Sequence, residues 1–175
     1  MSSKNDKFYL KLALNLAKQH EGLTNENPSV GCVIVKDNKI LSLSKTSISG
    51  RPHAEDNAIR FANTNDLKGS TIYVTLEPCT HHGKTPPCTD LIIKKKISKI
   101  VYASNDIDER TANKLKKVLK NHNISTKQIR IKEITDFYKS YFFIRKNKFP
   151  YITAKLACSN AVSYTHLTLP TIFRV

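Results

Sequence analysis

Apolar side chains recur at helical spacing over residues 6–20. Phe8, Leu12 and Leu16 form one row, and Tyr9, Ala13 and Ala17 form the row beside it. This pattern predicts an N-terminal helix that ends at Gly22. The apolar run over residues 30–35 predicts a buried strand. Asp37-Asn38 then turns the chain into a second strand over residues 40–44, which makes a hairpin. Pro52 signals a helix with Ala54, Ala58 and Phe61 on one face. The β-branched stretch 71–76 predicts a third strand, followed by a helix over 88–95 and a strand over 99–103. Leu115, Val118 and Leu119 mark a helix over 111–120. A fifth strand is predicted over 129–133 and a last helix over 136–144. Strands that alternate with helices imply a layered α/β domain. Residues 145–148 read as a polar linker, and residues 151–157 as the opening strand of another unit.

The chain has 175 residues, room for one ordinary domain and a fragment of a second. It contains no apolar run of about 18 residues, which excludes a membrane-spanning helix. The N-terminus is polar and carries no apolar signal region, so a cytoplasmic location is expected. The net charge of +15 raises the question of a nucleic-acid partner. The lysines are scattered, however, and the one tight cluster is Lys94, Lys95 and Lys96. Abundant Lys, Asn and Ile together match AT-rich coding sequence, so nucleic acid is not the expected partner. A small phosphorylated substrate would also gain from the positive field.

Four cysteines are present, and in a reducing compartment they do not read first as disulfides. Cys32 sits inside an apolar strand and reads as a small buried hydrophobe. Cys79 and Cys88 each follow a proline, with eight residues between them. With His53 they supply one nitrogen and two sulfurs, three ligands for zinc that leave a fourth position open to water. A helix N-terminus would further ease the two thiolates, at Cys79 and Cys88. Glu55 lies two residues beyond His53. At a helix start that offset lets both side chains reach one cavity, where a carboxylate can accept a proton from water. A lone His-x-Glu carries little weight, and a cysteine pair alone could be structural. All three pieces at strand-to-helix junctions point to a catalytic zinc site with Glu55 as the proton carrier. The pattern resembles the signature of zinc-dependent nucleobase deaminases.

A longer string narrows the resemblance. Residues 73–88 read Tyr-Val-Thr-Leu-Glu-Pro-Cys-Thr-His-His-Gly-Lys-Thr-Pro-Pro-Cys, with Asn-Pro-Ser-Val-Gly at 27–31 and Pro-His-Ala-Glu at 52–55. Over residues 6–159 the chain resembles the deaminase domain of the bifunctional riboflavin-biosynthesis deaminase/reductase. The resemblance implies a three-layer α/β/α cytidine-deaminase-like fold around a mixed sheet of about five strands. It implies one zinc per chain, held by His53, Cys79 and Cys88, with Glu55 catalytic. The implied substrate is 2,5-diamino-6-ribosylamino-4(3H)-pyrimidinone 5′-phosphate. Asn27 would bond the pyrimidine, His81 and Lys84 would approach the ribose phosphate, and Asp106 matches a further substrate-binding position. Beyond Asp106 the usual prolines and glycines are missing, and Arg110 becomes a candidate for the phosphate.

The resemblance implies a deaminase domain over 1–145, then a linker and the first strand of a truncated reductase domain over 146–159. Residues 160–175 depart abruptly, and Ser163 to Ile172 resembles translated adapter DNA, so this tail is expected to be non-native. With the reductase domain missing, NADPH is not an expected cofactor. A homo-oligomer stays open. The rival readings are a deaminase of tRNA adenosine or a free nucleoside and, from another class, a non-catalytic zinc-stabilised RNA-binding module. The eight-residue cysteine spacing argues against the first, and the lack of an aromatic-interleaved basic patch against the second.

Overall fold

A computed structural model describes residues 3–62, 67–83, 85–107 and 114–155. Five strands form one mixed sheet in the order β2-β1-β3-β4-β5. β1 (Gly31–Lys36) and β2 (Lys39–Lys45) pair antiparallel. The turn between them places Asp37 and Asn38 at φ of 50° and 61°, the left-handed pair that a two-residue hairpin requires. β3 (Thr71–Leu76) lies antiparallel to β1. β4 (Lys99–Ser104) runs parallel to β3, and β5 (Ser125–Gln128) parallel to β4. Parallel neighbours need crossovers. α3 (Cys88–Lys94) supplies the first, and α4 (Leu115–Leu119) lies in the second.

Every residue of β3 is buried, so helices must cover both faces of the sheet. On one face, α1 (Ser3–Lys18) packs Tyr9 on Tyr73, with ring centroids 4.9 Å apart. Two residues on, Thr75 points the same way and meets Tyr138, between α5 (Lys132–Phe137) and α6 (Lys139–Asn147). The second layer consists of α2 (Ala54–Arg60), α3 and α4, each in contact with the next. α1 approaches β1 closely: a Cβ on Gly31 would lie 1.8 Å from the carbonyl oxygen of Ala13. Only glycine fits there.

Several sequence expectations shift. The inward rows of α1 are Tyr9, Leu10, Ala13, Leu14 and Ala17, while Phe8 is exposed. Phe61 ends α2 in solvent, although Ala54 and Ala58 are fully buried. Val118 of α4 faces outward, and Leu115 and Leu119 face the core. The fifth strand covers the polar residues 125–128, not 129–133. It is an edge strand with alternating exposure, so its sequence needs no apolar run. Ile129 and Ile131 are buried all the same, in the extended connection between β5 and α5. The last predicted helix is two helices that break at Tyr138. Residues 151–155 form no strand and are exposed.

At the end of the sheet away from the β3 C-terminus, the Asp6 carboxylate is completely buried. It accepts hydrogen bonds from Lys127 Nζ at 2.7 Å and Tyr73 Oη at 2.9 Å, and Lys99 Nζ stands 3.9 Å away. Burial works against the charged form, but Lys127, Tyr73 and Lys99 outweigh it and hold the carboxyl below its ordinary value. Asp6→Ala strands two lysines beside a buried tyrosine and is expected to cost about 3 kcal/mol by urea denaturation. Because the folded-state pKa is depressed, this stabilisation is full above the unfolded value near 4. It fades as pH falls through the lower folded value. Asp6→Asn should therefore show a flatter loss of stability in acid than the wild type, and parallel curves would refute the assignment.

Candidate active site

The strongest chemistry gathers at the C-terminal end of β3. There the strand hands over to Glu77-Pro78-Cys79, and the N-terminal residues of α2 and α3 converge. His53 caps α2 in extended conformation, and Cys88 opens α3. His53 Nδ1 lies 3.6 Å from Cys79 Sγ and 3.4 Å from Cys88 Sγ. All three donor atoms fall within 4.8 Å of one another. Tetrahedral zinc with ordinary zinc–sulfur and zinc–nitrogen bonds separates S and N by about 3.6 Å. The donor set and its spacing therefore fit zinc.

The local electrostatics favour a thiolate. Cys79 Sγ accepts a hydrogen bond from the Cys88 amide at 3.2 Å, the first N–H of α3. The Cys88 thiol, the His53 ring and this amide together lower the Cys79 pKa to about 4 despite burial. Cys88 is pushed well above the ordinary thiol value, first by its hydrogen bond to Cys79 and then by burial. His53 is raised, chiefly by its hydrogen bond to Cys79.

Glu55 projects from the first turn of α2 and is 4% exposed. Burial raises its pKa to about 7, and the nearby His53 charge only partly opposes that rise. A carboxyl poised near neutrality can take and return a proton. Cys32 is fully buried in β1, as expected of a packing residue, and feels the Glu55 charge.

A cavity of about 240 Å³ opens over this group. Asn27, His53, Glu55, Cys79, His81 and Asp106 all border it. Asn27 comes from the loop before β1 and donates from Nδ2 to the Gly50 carbonyl at 3.0 Å. That bond fixes the amide and leaves Oδ1 as an acceptor. Gly50 has φ of 86°, and a Cβ there would lie 2.6 Å from Asn27 Nδ2, so glycine keeps Asn27 in place. Beneath the cavity, the Gly31 amide donates to Thr75 Oγ1 at 3.1 Å. Thr75 Oγ1 and Tyr138 Oη lie 2.6 Å apart, and Tyr138 Oη donates to the Ser29 carbonyl at 3.0 Å. This buried chain ties the C-terminal helices to the cavity floor.

Lys84, Arg110 and His166 lie outside the described residues, as does the tail from 160 onward. The sequence reading missed Arg51, Glu77, Tyr141 and Arg145, which also border the cavity. Arg51 and Glu77 adjoin the motifs and could have been read from that proximity. Tyr141 and Arg145 arrive on α6, more than fifty residues from Cys88, with no local signal.

Residues 3–104 match the family model of the cytidine and deoxycytidylate deaminase zinc-binding region. A diaminohydroxyphosphoribosylamino-pyrimidine deaminase from Buchnera aphidicola subsp. Acyrthosiphon pisum is 42% identical over 147 residues. That match takes in 83% of this chain and 99% of the relative. The chain belongs to this deaminase family. The riboflavin biosynthesis protein RibD of Aquifex aeolicus is 43% identical over 153 residues, 87% of this chain and 43% of that protein. The chain thus spans about two-fifths of the length of such RibD relatives. Among solved structures, RibD of Acinetobacter baumannii superposes with a TM-score of 0.77 at 35% identity, covering 85% of this chain and 42% of that one. The five-stranded sheet with its flanking helices is thus the cytidine-deaminase-like fold. Among the described residues, no helix is long and apolar enough to cross a membrane.

Proposed function

We propose that this chain hydrolyses 2,5-diamino-6-ribosylamino-4(3H)-pyrimidinone 5′-phosphate to 5-amino-6-ribosylaminouracil 5′-phosphate and ammonia. One observation carries the reading. The buried Glu55, with its pKa near 7, shares a cavity with His53 and Cys79 of the donor triangle. His53, Cys79 and Cys88 would hold one zinc per chain. When bound, that ion supplies a Lewis acid that lowers the pKa of water and stabilises developing negative charge. Asn27 Oδ1 accepts a hydrogen bond from the pyrimidine and sets the ring so that its amine-bearing carbon faces Glu55. Glu55 accepts a proton from the attacking water and delivers it to the adjacent ring nitrogen. It then takes the proton of the hydroxyl added to the ring carbon and passes it to the amine, which leaves as ammonia as the carbonyl forms. Leu76 and the buried floor limit access of further water.

His81 and Asp106 border the cavity, and the ribose phosphate would lie toward them; Lys84 stands three positions beyond His81 in the sequence. A cation that grips phosphate equally in ground and transition states sets KM more than kcat. Lys84→Ala is therefore expected to raise KM for the phosphorylated substrate about tenfold, and to change turnover of its dephosphorylated analogue little. Equal losses on both would remove Lys84 from phosphate selection.

Ammonia release from purified, zinc-loaded protein tests the reaction. Turnover is expected with the diaminopyrimidine ribosyl phosphate and not with cytidine or a tRNA adenosine. A preference for either of the latter would replace this reading. NADPH enters no part of it. On this reading residues 1–145 form the deaminase domain, and the cut that tests it falls after the end of α6. Truncation after Lys148 should preserve zinc content, melting temperature and deamination rate. A marked fall in any of the three would put later residues in the working domain.

A further inference from the structure

Two arginines that no motif marks, Arg51 and Arg145, border the cavity from different elements. Arg51 stands just ahead of α2 and donates from Nη1 to Thr85 Oγ1 at 2.9 Å, in the loop between the two cysteines. Arg145 lies on α6 and donates from Nη2 to the Glu26 carbonyl at 3.0 Å, one residue before Asn27. Its guanidinium carbon sits 5.7 Å from the Tyr141 ring centroid. Both hydrogen bonds lie on the solvent-facing side. Each goes to a neutral acceptor, and each uses one of five guanidinium N–H groups. Among the described residues, no carboxylate pairs with either arginine.

The cavity itself is lined by acidic side chains: Glu55, Glu77 and Asp106 border it. A phosphorylated ligand that approaches these groups meets repulsion unless positive charge at the mouth offsets it. A guanidinium is suited to that task, because its planar fork matches phosphate oxygens and its charge persists at any working pH. Tethering to a neutral oxygen fixes each fork without neutralising it. We propose that Arg51 and Arg145 are specificity-determining residues that hold the phosphate end of the substrate at the mouth, one from each wall. This assignment rests on the deaminase reading above.

The test uses zinc-loaded Arg51→Gln, Arg145→Gln and the double variant. Glutamine keeps a donor for Thr85 or Glu26 and removes the charge. For the phosphorylated pyrimidine, KM is expected to rise about tenfold per substitution, with kcat falling far less. The dephosphorylated form should show a much smaller change. The salt dependence of KM should weaken in the double variant, a change that a merely structural role would not produce. Equal losses on both substrates, or no loss on either, would overturn the proposal. Calorimetric titration with ribose 5-phosphate separates it from the deaminase reading. If the wild type turns over neither pyrimidine, the deaminase reading fails and this titration decides the anion site alone. Binding about tenfold or more weaker in the double variant supports the site. Equal affinity, or no binding to the wild type, refutes it.

Discussion

Glu55→Gln is expected to retain one zinc per chain and to lose deamination by roughly 10²–10⁴-fold, the range that a positioned acid–base group supplies. The side chain is 4% exposed and borders the cavity beside His53 and Cys79, so water cannot readily substitute as the proton carrier. Glutamine preserves the shape of the side chain and cannot accept a proton at neutral pH. Because three other donors complete the protein's share of a tetrahedral site, zinc content should not change. The loss should fall on kcat, since the substitution leaves the proposed substrate contacts at Asn27 and the cavity mouth in place. Metal analysis and steady-state ammonia release on the same preparation check both halves. Near-normal turnover, or loss of zinc, would show that Glu55 has another role.

Cys88→Ser and Cys79→Ser are each expected to bring zinc well below one per chain after dialysis. Even groups that only orient a metal ligand contribute about 10–100-fold to affinity, and loss of a thiolate should cost more. A serine hydroxyl stays protonated and is a poor ligand for zinc beside an imidazole. For Cys79 the effect is compounded, because its sulfur also accepts the Cys88 amide at the start of α3. Each cysteine must shed its proton to bind metal, so retained zinc should fall as the dialysis pH is lowered. Cys32→Ser serves as the contrast: this residue is buried in β1, so stability should drop while zinc is kept. One zinc per chain in both Cys79→Ser and Cys88→Ser would overturn the metal assignment.

The chemistry was legible in the sequence to an unusual degree because deamination draws on short motifs. His53, Glu55, Cys79 and Cys88 can be read as donors and a proton carrier by type and spacing alone. The structure brings the three donors within ligand distance and sets Glu55 at the same cavity as His53 and Cys79. The hairpin was equally legible, since Asp37-Asn38 tolerate left-handed φ. Where the reading slipped, the reason was packing. Ile129 and Ile131 alternate as a strand would, yet they are buried in an extended connection outside any strand. β5 escaped notice because an edge strand can be polar.

By itself, then, the sequence determined the layered α/β class and marked His53, Cys79, Cys88 and Glu55 as the candidate donors and proton carrier, since each rests on local periodicity or on donor chemistry within short segments. Only the tertiary structure decided that Tyr138 joins the last helices to Thr75 and Ser29. It also decided that Asp6 is sealed between two lysines, and that Arg51 and Arg145 meet at one cavity. Those contacts link residues as many as 121 positions apart. No local pattern encodes such pairings, because they depend on how the helices settle on the two faces of the sheet.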